Sequence, residues 1–220
     1  MTAPEGRVLV RVRAALGARG RRDEGAAAVE FAIVSLLLFT IVFGIIEFSL
    51  LLRDHVAATS AVRTGARIAA ASPAAGKCTP VNGTTCPSSR PPALAQAAAD
   101  AIQRQGTALP RNSIDELWVY KANASGLPGT ATTWASATCS TNCVKYRWVD
   151  ANARFTYQSG TWDTSQVNAC IGSSDAVGVY LKATHTFLTG LFGSTAGVSD
   201  FAVMQFEPLQ SDQCSPGAHP

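Results

Sequence analysis

The chain has 220 residues, 47% of them hydrophobic and only 15% charged. The roughly 25% charge usual in a soluble domain is missing, which argues against a wholly soluble chain. The length allows one or two domains. The formal charge of +3 lies in Met1–Gly25, where six arginines face Glu5, Asp23 and Glu24; acids and bases balance over the rest.

A basic tail suits nucleic-acid binding. Placed directly before an apolar run, it reads instead as the positive flank that stays in the cytoplasm, and no nucleic-acid partner is expected. Phe31–Leu52 is that run, 22 residues interrupted only by Glu47. As a helix it extends roughly 33 Å, enough for a hydrocarbon core of about 30 Å. It is longer than the hydrophobic region of a cleaved secretory signal, and the small residues precede it rather than follow it, so the segment should remain in the membrane. The charge bias puts the N-terminus in the cytoplasm and residues after Arg53 outside.

Two acids need a reason, because carboxylates in a bilayer are costly. Glu47 either reaches out to the outer interface or contacts another subunit. Glu30 lies at the inner edge, where position alone makes it an interfacial residue that helps start the helix. Its context, Gly25-Ala-Ala-Ala-Val-Glu30-Phe31, adds a second reading. A glycine closes a charged leader, four small or apolar residues follow, then a glutamate and the apolar helix.

This arrangement resembles the processing site of type IV pilins and pseudopilins. The stretch Glu24-Gly-Ala-Ala-Ala-Val-Glu-Phe-Ala32, with Val62-Arg-Thr-Gly-Ala-Arg-Ile-Ala69 beyond the span, is similar to the TadE-like family of tight-adherence (Flp-type) pilus systems. Phe201-Ala-Val-Met-Gln-Phe-Glu-Pro208 is also similar to that family's closing strand. The TadF-like and TadG-like proteins share the N-terminal pattern. The resemblance implies a prepilin peptidase that cuts after Gly25, leaving Ala26 as the new N-terminus and Glu30 as the fifth residue. It implies other pilin-like subunits and assembly platform proteins as partners, besides the membrane itself. A glycine at the cut lets the backbone enter a tight protease site. The freed amine is positive at neutral pH and can pair with Glu30 of a neighbouring subunit, a pairing that matters far more in a low dielectric than on a surface.

Beyond Arg53 the helix is expected to continue to about Ala71. Ala57, Ala61, Gly65 and Ala69 recur every fourth residue. Such a stripe lets another helix approach closely, though alanine's helix propensity alone would also supply it. Ser72–Pro92 reads as an irregular loop and Ala93–Gln105 as a helix. Strands are expected at Glu116–Ala122, Val144–Val149, Arg154–Gln158, Ala176–Leu188 and Asp200–Phe206. The class is therefore α+β: a long N-terminal transmembrane helix, then a small extracytoplasmic domain with an antiparallel sheet. The expected division is a basic leader over 1–25, a transmembrane and stalk helix over 26–71, and an extracytoplasmic domain over 72–220.

All six cysteines, Cys78, Cys86, Cys139, Cys143, Cys170 and Cys214, follow the apolar run. An even number on the presumed outside suits disulfides in an oxidising compartment. Sequence proximity favours Cys78–Cys86, Cys139–Cys143 and Cys170–Cys214. Zinc is the weaker reading, because no second close pair or histidine pair accompanies Cys139 and Cys143. His185 falls on the apolar face of its strand with Val177, Val179, Leu181, Ala183 and Phe187, the setting of a core residue rather than a catalyst. No phosphate loop, nucleophile elbow or metal-ligand cluster is visible, so neither an enzyme nor a cofactor is expected. The leading expectation is a TadE-like minor pseudopilin or pilus-assembly component in the cell membrane. The alternatives are a permanently anchored extracytoplasmic binding or sensor domain and, more remotely, a secreted hydrolase.

Overall fold

A computed structural model describes residues 10–77, 91–104 and 109–215, with side chains from Gly25 onward except that of Arg111. It divides into two compact units, Met1–Phe48 and Ser49–Pro220. One helix, α1 (Val10–Ala70), supplies the described part of the first unit and opens the second. It begins well before Ala26, so the basic stretch from Val10 is helical too.

In the first unit the large apolar side chains of the run lie open, with Phe31, Leu36 and Ile33 each more than 65% exposed. Apolar side chains left bare around a whole helix are those of a segment whose solvent is lipid. The described stretch Gly25–Ala70 is the one helix among the described residues long and apolar enough to cross a membrane, with a mean hydropathy of 2.6 in its most apolar window.

The second unit is an α+β domain. Helix α2 (Ala93–Arg104) and strands β1 (Ile114–Ala122), β2 (Cys143–Val149), β3 (Arg154–Thr161), β4 (Ala176–Thr186) and β5 (Thr195–Gln205) follow α1. The five strands form one antiparallel sheet in the order β3-β2-β1-β4-β5. Alternation along the strands fixes its inner face: Leu117 and Val119 of β1, Val144 and Tyr146 of β2, and Val177, Val179, Leu181 and Ala183 of β4 are all buried. Against that face pack α2, through Leu94, Ala95, Ala98 and Ile102, and the C-terminal part of α1.

The outer face carries a smaller cluster. Trp118 and Tyr120 are buried there beside Cys143, and Trp134 from the β1–β2 connection stacks on Tyr180 with ring centroids 4.4 Å apart. The Cys139–Cys143 disulfide ties that connection to the start of β2, and Cys170–Cys214 joins the loop before β4 to the C-terminal segment. These are two of the three pairs that proximity favours; Cys78 and Cys86 lie outside the described residues. No described cysteine is free.

The strands depart from expectation mainly at their ends. β5 begins at Thr195, five residues before Asp200, because the Ser/Thr/Gly-rich stretch that looked like a turn pairs in unbroken register with β4, from Thr186↔Thr195 to Ala176↔Gln205. Tertiary pairing overrides weak strand propensity there. β4 correspondingly stops at Thr186, and Phe187 and Leu188 belong to the turn. α2 is described to Arg104; Gln105 lies outside the described residues.

Candidate functional site

The features that bear on function lie along α1. Gly25 and Glu30 are both exposed. A Cβ built at Gly25 meets no atom within 4 Å, so nothing in the fold needs a glycine there. Gly25 lies inside continuous helix, where glycine is about 1 kcal/mol poorer than alanine. Glu47 is only 1% exposed, so the reading in which it reaches out to the interface does not hold.

In the second unit the small-residue stripe is buried. Ala57, Ala61, Gly65 and Ala69 all face inward, together with Ala58, Val62, Ala66 and Ala70. Spacings of three and four residues put these side chains on one side of the helix. The close approach that the stripe permits is used by the chain's own α2: a Cβ at Gly65 would stand 2.8 Å from Ile102 Cδ1 and 3.4 Å from Val179 Cγ1.

Polar ties join the helix to the sheet and to the segment that follows it. Asp54 Oδ2 lies 2.7 Å from His185 Nδ1, with both side chains buried. Thr59 donates its hydroxyl to Asp200 Oδ2. The Glu207 amide donates to the Ala70 carbonyl at 2.9 Å. Arg53 approaches the other Asp54 oxygen at 3.4 Å with its side chain half out in solvent. Carboxylate and imidazole thus satisfy each other in a place where neither could stand alone at low cost. His185 Nε2 is buried with no hydrogen-bond partner among the described residues.

His185 is therefore a core residue, as its strand face suggests. Its partner Asp54 was missed in the sequence; the signal that could have found it is that Asp54, Ala57, Ala58 and Ala61 share the buried spacing, and an acid in that phase calls for an inward partner. An open cavity of about 480 Å³ adjoins the pair, bounded by Leu50, Arg53, Asn112 and Thr186 among others. Among the described residues no group of three or more His, Cys, Asp or Glu side chains is placed to hold a metal ion.

These features define a class: an α+β domain carried on a single N-terminal helix able to span a membrane. Within it, residues 25–67 match the family model described as TadE-like protein. The match opens on Gly25, takes in Glu30, Glu47, Asp54 and Gly65, and ends before the sheet. It agrees with the resemblance carried by Glu24–Ala32 and Val62–Ala69, and it supports involvement in tight-adherence pilus assembly in general terms. That family is associated with pilus structure and assembly, and is not known for catalysis. No curated protein and no solved structure matches the chain.

Proposed function

We propose that this chain is a TadE-like minor pseudopilin, or a closely allied assembly component, of a tight-adherence pilus or secretion system. The observation that carries the reading is the spacing of Gly25 and Glu30, both exposed on α1 at the start of its apolar run, within the stretch that matches the family. Residues 1–25 are the cytoplasmic leader, removed by a prepilin peptidase after Gly25. Residues 26–71 are the membrane and stalk helix, and 72–220 the extracytoplasmic domain. The two disulfides agree with an oxidising exterior.

The new amine at Ala26 is positive at neutral pH. Glu30 lies four residues further on, one turn along the helix, and a carboxylate in lipid needs a cationic partner. The amine of an adjoining subunit answers that need, and an unpaired member of such a couple is heavily penalised. Assembly with other pilin-like subunits follows from this pairing; catalysis plays no part.

A permanently anchored binding domain is the second reading, and one observation favours it: α1 runs through Gly25 without a break. Intact mass separates the two. Protein from native membranes that contain the peptidase should begin at Ala26, and Gly25→Leu should leave it full length. A wild-type protein that keeps its arginine-rich leader there refutes processing. Glu30→Gln should insert and be cleaved normally yet co-purify poorly with other pilus subunits. Wild-type recovery of partners by Glu30→Gln overturns the pairing.

A further inference from the structure

The turn between β4 and β5 is unlike the other connections among the described residues. Leu188, Leu191 and Phe192 are 74%, 55% and 47% exposed, on a turn of eight residues. From Thr186 to Ser199 the sequence carries no charged side chain. Three bulky apolar groups in so short an exposed segment exceed the scattered single exposures normal for a soluble surface.

The location of the turn identifies what covers it. Along the domain, Gly65 lies against Val179 while Asp54 meets His185. β4 therefore runs antiparallel to the stalk, toward the end of the apolar run at Leu52. Leu188 stands two residues past the end of β4 at Thr186, and Leu50, Arg53, Thr186 and Leu188 border one cavity, which puts the start of the turn level with the end of the apolar run.

We infer that the β4–β5 turn is a second membrane contact, seated in the headgroup and upper acyl region of the bilayer that holds the apolar helix. The occupant is the lipid surface itself. Irregular backbone is not tolerated in the hydrocarbon core, so the turn belongs at the interface. Its amides suit that depth: Phe187 donates to the Ser194 carbonyl at 3.1 Å, Gly193 to the Gly190 carbonyl at 3.3 Å, and Leu191 to the Thr189 hydroxyl at 3.3 Å.

This inference rests on the membrane reading of α1, and the test separates the two. Single nitroxide labels are placed at Leu191→Cys, at Phe39→Cys in the apolar run, and at Ser125→Cys beyond the opposite end of the sheet. Each full-length variant, checked by mass for intact native disulfides, is reconstituted in phosphatidylethanolamine–phosphatidylglycerol vesicles. Collisions with oxygen and with a water-soluble nickel chelate are then compared. The expected result is an oxygen-to-nickel ratio at position 191 several-fold above that at 125, approaching that at 39, and unchanged on tenfold lipid dilution. A label at 191 as wet as at 125, with 39 in lipid, overturns the inference and leaves the span intact. A wet label at 39 removes the membrane reading and this inference with it. Shielding at 191 that fades on lipid dilution means a neighbouring protein covers the turn, which also overturns it.

Discussion

Breaking the Asp54–His185 tie should loosen the stalk from the sheet. His185→Ala takes away the 2.7 Å partner of Asp54 Oδ2 and leaves the carboxylate buried with only Arg53 at 3.4 Å. A hydrogen bond to a charged group contributes about 1.5–3 kcal/mol, and the edge-on contact of the imidazole with Phe187, centroids 5.0 Å apart, adds about 0.5–1.5 kcal/mol. The expected loss is about 3 kcal/mol. With a urea m-value of about 2 kcal/mol/M this moves the midpoint down by about 1.5 M. The four tryptophans all lie in the second unit, so their fluorescence during urea unfolding of the full chain in detergent micelles reports that unit. Asp54→Ala and the double variant complete a cycle, with an expected coupling of about 1–3 kcal/mol. Single losses that add to within about 0.5 kcal/mol would refute the argument, since they would make the two side chains independent.

Gly178→Ala should cost about 1–3 kcal/mol by overpacking, because its Cβ would stand 2.2 Å from the Tyr120 ring, which is held by its hydroxyl to the Gly126 carbonyl; thermal unfolding measures it. Cys170→Ser with Cys214→Ser should destabilise by roughly 4 kcal/mol and Cys139→Ser with Cys143→Ser by roughly 2 kcal/mol on the loop-entropy model, since the sequence separations are 44 and 4; paired urea titrations rank them. The Ser165 amide holds the Asp163 carboxyl below the ordinary carboxylate range. Its small contribution should be complete above the unfolded carboxylate pKa and disappear as pH falls through the lowered folded value, which NMR titration of Asp163 against Asp163→Asn would follow.

The long helix, α2 and the five strands were legible because each carries its own period: a charge-free run, an alanine-rich amphipathic segment, and alternation ending at turn residues. β5 was cut short because Ser194–Ser199 has turn composition, and only pairing with β4 makes it a strand. The Gly25–Glu30 spacing is visible in sequence because its meaning is local. What the sequence hid was the use of the stalk. Ala57, Ala61, Gly65 and Ala69 announce close packing but not against what, and a stripe that fits a neighbour's helix fits the chain's own α2 equally well. The Asp54–His185 pair was half legible, since His185 stood on the inner strand face while its acid lay 131 residues away. Phe187 and Leu188 read as the end of a strand, because their apolar side chains continue its pattern, but they belong to the turn.

The stalk has a consequence for biosynthesis. Its inward face is made first and closed last: Asp54 waits for His185, Thr59 for Asp200, and Ala70 for Glu207, each well over a hundred residues downstream. Contacts so distant form slowly. Throughout that interval, while the helix is already threaded and the strands are still emerging, the alanine face stands uncovered. Any other helix that reaches it then competes with the chain's own sheet, so the rate at which β4 arrives decides whether that face ends as core or as an interface.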